Sequence, residues 1–278
     1  MPSRKLFYSL PPSWRFLARR LYFLPIDTWE KWSGQRPALT PPKGLIFTGR
    51  GDFQREGKRL FERFRDLGGL QPEHRVLDIG SGIGRVAVQL SQYLNERGSY
   101  EGFDVIKLGV DWCQKNISTA HSNFTFTYVP LGNDLYRSEG RDASSFNFPY
   151  PDNSFNFAVS NSVFTHMLPE EVQNYLEQLH RVLKPGGRAY LSFFILNEAS
   201  KAGMANNPSF NFKFDHGYYR LLDEQVKAAN VAYEEDYFQQ NLLPSDKWKF
   251  IHQFYGYWSG QRDEEQPDYQ DFVIVEKR

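Results

Sequence analysis

Three glycines and a carboxylate have the types and spacing of a ligand site. Gly80, Gly82 and Gly84 alternate directly after a short apolar run at 76–79, and a helix-like pattern follows them. Glycine lets a ligand approach bare backbone, and a helix start carries unpaired N–H groups. Asp104 ends the next predicted strand, at a separation of 104 − 84 = 20 residues from the last glycine. A carboxylate there can accept both hydroxyls of a ribose, so the pattern indicates a ribose-containing ligand.

Two common nucleotide motifs do not fit this turn. The dinucleotide fingerprint is G-x-G-x-x-G, and Gly80 and Gly82 match its first two glycines. Its third glycine position is occupied by Arg85. No Gly-Lys-Ser/Thr follows, so the turn is not a Walker phosphate loop. The spacing therefore disfavours a nicotinamide cofactor.

The elements that must position these residues alternate along the chain. This alternation predicts an α/β fold, doubly wound around a parallel sheet, in which ligands bind at the carboxyl ends of the strands. Alternating patterns near the C-terminus are typical of an antiparallel strand pair. Strands are predicted at 75–79, 100–104, 124–130, 155–160, 188–196, 249–258 and 271–276, and helices at 52–67, 84–98, 106–117, 169–183, 223–229 and 233–242.

The first 46 residues form a predicted N-terminal helical extension, rich in proline, basic and aromatic residues. A helix is predicted at 12–23, with Trp14, Leu17, Ala18 and Leu21 on one face. A basic amphipathic helix can make peripheral contact with a membrane surface. The short apolar face favours the other interpretation, docking on its own domain.

Composition narrows the class of protein. The 278 residues are 40% hydrophobic, enough for one large domain with additions. The 33 Lys and Arg balance the 33 Asp and Glu, and a net charge of zero disfavours a nucleic-acid partner. The single cysteine, Cys113, excludes an intrachain disulfide and disfavours a cysteine metal site, and no metal is predicted. A cytoplasmic location is expected.

Four motifs in order resemble the class I S-adenosylmethionine-dependent methyltransferases. The segment 78–84, D-I-G-S-G-I-G, resembles the first motif of that family, and Asp104 stands where it has a ribose-binding acid. The segments 148–155, F-P-Y-P-D-N-S-F, and 179–187, L-H-R-V-L-K-P-G-G, resemble the motifs before its fourth and fifth strands. The resemblance covers roughly 47–200. It implies a Rossmann-like methyltransferase fold, with a mostly parallel seven-stranded sheet whose seventh strand is antiparallel.

The resemblance also implies a cofactor site for S-adenosylmethionine. The backbone at 80–84 would face the amino-acid part, and Asp78 would orient the turn or bind the ammonium through water, or simply cap its own turn. Asp104 would bind the ribose, Val105 would pack on the adenine, and Asn161 and Ser162 would lie near the methionine amine and the methyl group. Ser144 and Ser145 would read the adenine edge, although the family's acid is missing at Ser144 and Asp142 lies two residues earlier. The predicted cofactor-binding residues are Asp78, Gly80, Ser81, Gly82, Gly84, Asp104, Val105, Ser144, Ser145, Asn161 and Ser162.

The implied function is methyl transfer by in-line displacement to a small-molecule, sugar or lipid-like acceptor, with S-adenosylhomocysteine as product. His166 follows the predicted fourth strand and is the candidate general base, because histidine titrates in the useful range; capping a helix or filling the pocket wall is its other interpretation. Residues 47–278 would form the methyltransferase domain, with 197–222 as a lid or substrate segment. Two alternatives stay open: a nicotinamide-dependent oxidoreductase, and a non-catalytic S-adenosylmethionine-binding protein.

Overall fold

The strands and helices alternate as predicted. The computed structural model describes residues 12–47, 49, 51–132, 140–205, 210–260 and 268–278. The helices are α1 (Pro12–Trp32), α2 (Phe53–Asp66), α3 (Arg85–Leu90), α4 (Lys107–Cys113), α5 (Pro169–Val182), α6 (Glu198–Ala205) and α7 (Glu235–Tyr237). The strands are β1 (Arg75–Ile79), β2 (Ser99–Asp104), β3 (Phe124–Tyr128), β4 (Phe155–Ser160), β5 (Leu183–Phe193), β6 (Ile195–Leu196), β7 (Phe214–Asp215), β8 (Tyr219–Leu221), β9 (Val231–Glu234), β10 (Trp248–Phe254) and β11 (Asp271–Lys277).

Seven strands form the main sheet, in the order β10-β11-β5-β4-β1-β2-β3. The strands from β5 to β3 are parallel, and β11 is antiparallel to both of its neighbours. The central strand β1 pairs Ile79 with Phe103 of β2 and Asp78 with Val159 of β4. The strand order reverses beside β1, which is the switch point where open sheets bind ligands. The predicted fold class, with its antiparallel strand, is confirmed.

The two faces of the sheet pack into separate cores because successive strand residues point in opposite directions. Val76 of β1 packs in one core with Phe64 from α2 and Val88 from α3. The next residue, Leu77, packs in the other core with Leu179 from α5. All of these side chains are buried. The central strand is therefore covered on both faces, as parallel sheets require.

Several element boundaries differ from the predictions. The helix predicted over 84–98 is regular only to Leu90, and turns follow. There the Ser91 hydroxyl donates to Val88 O at 2.9 Å, a side-chain bond that competes with helix continuation. The strand predicted at 188–196 begins at Leu183, which pairs with Phe155 across an irregular register, and it is interrupted after Phe193.

A second, four-stranded sheet was missed by the sequence patterns. Its order is β6-β9-β8-β7, and it adds antiparallel pairs to one parallel pair, β6 with β9. The helix predicted at 233–242 is wrong at its start, because Tyr233 is a buried strand residue paired with Ile195. The segment 197–222 supplies α6, β7 and β8, and its residues 206–209 lie outside the described part. Its role as a lid stays a prediction.

A buried carboxylate joins the second sheet to the first. The side chain of Asp271, at the start of β11, accepts hydrogen bonds from Ile195 N at 2.6 Å, Gly256 N at 2.6 Å and Trp258 Nε1 at 2.9 Å. Burial raises its pKa to about 7, and the three N–H donors act in the opposite direction. Asp271 therefore anchors the chain segments on either side of the small sheet.

The N-terminal helix is longer than predicted. It continues through Pro25 to Trp32 rather than ending at residue 23. Its Asp27 side chain accepts hydrogen bonds from Lys43 N at 2.7 Å and Gly44 N at 2.9 Å, so the helix docks on the turn that follows it. None of the helices in the described ranges is long and apolar enough to cross a membrane. The division into an extension at 1–46 and a domain at 47–278 stays a prediction.

Replacing Gly109 with alanine will test the packing of α4 on the glycine turn. A Cβ at Gly109 would lie 2.2 Å from Gly82 O, so the helix must move away from the turn. We expect Gly109→Ala to lower the free energy of unfolding by about 1–3 kcal/mol in urea denaturation. Asp111→Ala on the same helix is the control and will cost less than about 1 kcal/mol, because it breaks only an exposed pair with Lys107. Equal effects would contradict the close approach.

Candidate cofactor and acceptor site

A cavity of about 830 Å³ lies at the carboxyl ends of β1, β2 and β4. Its size lies within the range of small-molecule sites. Most of the predicted site residues line this one cavity, although they come from three separate parts of the chain. These residues are Asp78, Gly80, Ser81, Gly82, Asp104, Val105, Asn161, Ser162 and His166.

The glycine turn is closed by its own backbone hydrogen bonds. Gly80 N and Ser81 N donate to Phe103 O at 2.9 and 3.0 Å, and Gly84 N donates to Ser81 O at 3.0 Å. Gly80 has a φ of +77°, and a Cβ there would lie 2.4 Å from Val163 Cγ2. These three amides of the turn are therefore paired within the protein. The turn instead shapes the wall of the cavity.

Gly84 has a packing role and does not line the cavity. It precedes α3 with a φ of +78°, and a Cβ there would lie 2.8 Å from Cys113 Sγ and 2.9 Å from Ile117 Cδ1. A side chain at this position would push the crossover segment from Cys113 to Ile117 off the turn. The third glycine of the motif thus allows the segment from Cys113 to Ile117 to pack closely against the turn, outside the cavity.

Asp104 is the best-oriented polar group in the cavity. Its Oδ2 accepts from Gly82 N and its Oδ1 from Ile106 N, both at 2.7 Å. Each carboxylate oxygen has a second lone pair, so the group retains capacity for two hydroxyl donors. Burial raises its pKa to about 6, against the lowering effect of its N–H donors. Val105 and Ile106 follow it along the cavity wall and supply an apolar surface.

Asp78 lies beneath the turn and is held from within the sheet. The hydroxyl of Tyr100 donates to its Oδ2 at 2.5 Å. Burial raises the pKa of Asp78 to about 7; the Tyr100 hydrogen bond lowers it, and the nearby charge of Asp104 raises it again. A carboxylate in this setting favours a cation beside it, which fits an ammonium group in the cavity.

The two serines predicted at the adenine edge lie beside the cavity rather than in its lining. Ser144 and Ser145 belong to a short 3-10 turn, Ala143–Ser145, in which the carboxylate of Asp142 accepts from Ser144 N at 2.8 Å. Ala143 is the residue of this turn that lines the cavity. The cavity-facing residue thus lies one position earlier than Ser144, at Ala143.

Ser162 is held in a strained conformation at the cavity wall. Its φ is +60°, which is rare for a residue with a Cβ. Its N–H donates to Ser192 Oγ at 2.7 Å, and its hydroxyl donates to Gln270 Oε1 at 2.8 Å. Ser192 also donates to Gln270 Oε1, at 2.9 Å. Gln270 lines the cavity, but it lies 108 residues from Ser162, so no local pattern could identify it.

His166 is the titratable imidazole in the described lining. Its Nδ1 lies 2.8 Å from Ala228 O. A carbonyl only accepts, so Nδ1 carries the proton and Nε2 is the basic nitrogen of the neutral ring. Burial lowers the pKa of His166, and the carbonyls of Ala228 and Ala229 raise it by a smaller amount. The lowered pKa favours the neutral form of the ring.

One end of the cavity is aromatic. Phe194 and Phe210 come from the region of the small sheet, and Tyr257 and Tyr269 flank the link to β11. The sequence is compatible with two roles for the aromatic residues at 210–214 and 255–258, as the wall of the pocket or as part of the core. Both interpretations hold in part, because Phe210, Phe212 and Trp258 pack in one core cluster, while Phe210 and the half-exposed Tyr257 also line the cavity.

An ion-pair cluster borders the cavity on the α2 side. The Arg59 guanidinium lies 2.9 Å from Glu56 and 3.4 Å from Asp268, and Arg63 also pairs with Asp268. Glu56, Arg59 and Asp268 line the cavity. These residues were missed because Asp268 and α2 lie about 200 positions apart, with separations of 205 and 209 residues for the two pairs.

Comparison with known proteins gives matches over the region that carries this site. Residues 77–191 match a family model described as a methyltransferase domain. Arsenite methyltransferase of Rattus norvegicus is 29% identical over 158 residues, covering 55% of this chain and 41% of the relative. The tRNA N(3)-cytidine methyltransferase METTL2 of Gallus gallus is 29% identical over 174 residues, covering 60% and 44%. The solved PH0226 protein of Pyrococcus horikoshii superposes with a TM-score of 0.54 at 14% identity, over 84% of this chain and 95% of that one, and shares the fold.

The resemblance inferred from the motifs is thereby confirmed. Residues 77–191 match the methyltransferase domain model, and over this region the chain is similar to S-adenosylmethionine-dependent methyltransferases. S-adenosylmethionine is the cofactor of that family, so the nicotinamide alternative is set aside. The chain spans less than half the length of the two curated relatives. The methyl acceptors in the names of these two relatives differ from each other, so neither name identifies the acceptor of this chain.

Two substitutions at Ser162 will separate its strain from its hydrogen bond. Ser162→Ala removes the hydroxyl bond to Gln270 but keeps the unfavourable φ, whereas Ser162→Gly removes both. We expect the alanine variant to be less stable than the parent by about 1 kcal/mol or more, and the glycine variant to recover about 1 kcal/mol of that loss. Urea denaturation measures both. A glycine variant less stable than the alanine variant would contradict the strain.

Proposed function

We propose that the protein transfers the methyl group of S-adenosylmethionine to a small, largely apolar acceptor. The observation that carries the proposal is the continuity of the cavity. Asp104 presents two oriented oxygens beside Val105 in the lining, and aromatic side chains and His166 belong to the lining of the same cavity. A cofactor and an acceptor need such a shared space, because methyl transfer requires the two to meet in line.

The residues that would hold the cofactor follow from the geometry. Asp104 would bind the ribose hydroxyls, since each of its oxygens keeps an acceptor site after its N–H bond. Val105 and Ala143 would pack on the adenine from the apolar part of the lining. Asp78, buried and held by Tyr100, would attract the ammonium group. Asn161 and Ser162 would lie nearer the sulfur.

The chain's own chemical contribution would be positioning and proton removal. Bound S-adenosylmethionine supplies a methyl group on a sulfonium, which is a good leaving group. The aromatic end would exclude water and hold the acceptor in line with that methyl. Where the acceptor is a hydroxyl or an ammonium, Nε2 of His166 would accept its proton, because Nδ1 is held by Ala228 O.

The acceptor class is inferred from the cavity and the composition. Phe194, Phe210, Tyr257 and Tyr269 form an apolar wall suited to a ring or an alkyl body. Trivalent arsenic is a soft centre that prefers thiolates, and the single cysteine, Cys113, is buried outside the lining. The zero net charge also disfavours RNA. A phenol, quinol or amine of small size fits best.

Asp104→Asn will test the cofactor site by isothermal titration with S-adenosylhomocysteine. The amide nitrogen cannot accept, so one of the two N–H bonds or one hydroxyl bond is lost. We expect affinity to fall about 10- to 100-fold. Asp111→Asn, an exposed carboxylate on α4, is the control and will leave affinity unchanged. Unchanged affinity in the well-folded Asp104 variant would remove the proposed cofactor site.

His166→Gln will test the general base in a screen with labelled S-adenosylmethionine and a panel of phenols, quinols and amines. We expect kcat to fall about 100-fold or more while S-adenosylhomocysteine affinity is kept. Protonated His166 cannot accept a proton and its pKa lies below the usual value, so the parent rate will rise with pH below about 6.5 and be flat above it. The variant will lose this dependence.

His252→Gln, on β10 and outside the described lining, is the matched control and will leave kcat unchanged. An unaltered rate and pH profile in the His166 variant would show that the ring only forms part of the wall. Tight S-adenosylhomocysteine binding without turnover of any acceptor would favour the alternative, a non-catalytic binding protein.

A further inference from the structure

The N-terminal helix α1 docks through a polar face. Its carboxylate Asp27 accepts from Lys43 N and Gly44 N, and Glu30 pairs with the Lys43 ammonium at 2.5 Å. Arg19 Nε donates to Lys43 O at 3.2 Å. A Cβ at Gly44 would lie 3.0 Å from Arg20 Cα, so the turn at 43–45 fits closely against the helix backbone. The docking of α1 thus uses charges and backbone groups.

The opposite face of α1 is apolar and exposed. Trp32 is 87% exposed, Tyr22 76% and Trp14 62%. At 100° per residue seven of the exposed large apolar residues form one stripe, about 27 Å long between its first and last members, and the exposed Ile26 lies at the edge of this stripe. An ordinary surface helix buries its apolar stripe, whereas α1 exposes its apolar stripe and docks through its polar face. The members of the stripe are Trp14, Leu17, Leu21, Tyr22, Leu24, Trp29 and Trp32.

The charges of α1 are divided between its two faces. Both acidic residues, Asp27 and Glu30, face the segment that follows the helix and pair there with Arg36 or Lys43. The exposed charged residues of the helix are Arg20 and Lys31. Lys31 lies at the edge of the apolar stripe, whereas Arg20 lies further round the helix, on the same side as Asp27. The outward face therefore combines apolar and aromatic side chains with the charge of Lys31 and carries no carboxylate. Tryptophan and tyrosine suit the headgroup depth of a bilayer, and cations are attracted by anionic headgroups.

We propose that the outward face of α1 binds the surface of an anionic lipid bilayer, with the helix lying parallel to the membrane plane. An amphipathic helix of this composition buries its apolar stripe at the headgroup boundary without spanning the membrane. The charge pattern disfavours a second copy of the chain as the occupant. Two-fold pairing of this face would bring like charges together, because the two carboxylates of α1, Asp27 and Glu30, lie on its other face.

The proposed membrane face is connected to the rim of the cavity. The Phe16 ring of α1 packs edge-on against Phe47, with 5.7 Å between the ring centroids. Phe47 lines the cavity. The helix that would lie on lipid thus also contacts the wall of the site. Membrane binding by α1 is independent of methyl transfer, and its test needs no acceptor.

The test is flotation of the full-length chain with vesicles. We expect binding to phosphatidylcholine vesicles that contain about 30% phosphatidylglycerol, and weaker binding to phosphatidylcholine alone. The double variant Leu21→Glu/Trp29→Glu will bind at least about tenfold more weakly, because it places two charges in the stripe. Arg20→Gln/Lys31→Gln will lose about fivefold per charge on anionic vesicles only.

Lys58→Gln/Lys249→Gln removes the same number of exposed charges elsewhere and is the matched control, expected to bind like the parent. Unchanged melting and S-adenosylhomocysteine affinity will show that the variants are folded. Absence of binding to either vesicle would overturn the proposal. Dimerisation in analytical ultracentrifugation, abolished by Leu21→Glu/Trp29→Glu and without vesicle binding, would overturn it in favour of a second copy.

Discussion

The site depends on one interaction, the clamp that Asp104 forms between the glycine turn and the end of β2. One carboxylate oxygen accepts from Gly82 N and the other from Ile106 N, so the side chain fixes the turn after β1 to the segment after β2. The turn can come this close because Gly80 and Gly82 adopt positive φ. The same bonds orient the carboxylate, and its remaining lone pairs are the acceptors that we propose for the ribose hydroxyls. The two carboxylate oxygens of Asp104 therefore serve both the turn structure and the proposed ligand binding. A substitution that alters the turn is expected to alter ligand binding as well.

Three buried carboxylates differ in how well their charge is compensated by N–H and O–H donors. Asp271 accepts from three N–H groups and holds the small sheet. Asp104 accepts from the amides of Gly82 and Ile106, is also stabilised by the amide of Val105, and lies in the cavity lining. Asp78 has the Tyr100 hydroxyl as its hydrogen-bond donor in the described structure, and its pKa is raised to about 7. A buried carboxylate with few donors is costly, and a ligand cation offsets that cost. This ranking supports the proposed place of the ammonium beside Asp78.

The sequence predicted those parts of the fold whose signals are local. The bounds of β4 at 155–160 and the start of α5 at Pro169 follow from an apolar run between turn residues and from proline at a helix start. The second sheet could not be predicted, because its strands are two to four residues long and gain their burial only from one another. Gln270 reaches the cavity only through the pairing of β11 with β5. A residue that reaches the cavity through long-range strand pairing produces no sequence pattern near the other site residues, so it could not be predicted from them.

Two phenylalanine side chains of the cavity lining are buried, whereas the tryptophans of α1 are exposed, and this difference indicates different binding partners. Phe194 and Phe210 contact one another in a concave wall, which suits a small apolar acceptor. Trp29 and Trp32 instead stand exposed on a convex helix whose acids turn inward. A convex apolar stripe cannot enclose a small ligand, so its burial requires an extended surface. An acceptor with an apolar body would partition into such a surface. The proposed membrane face and the proposed acceptor wall are thus compatible with one another, and each proposal rests on its own contacts.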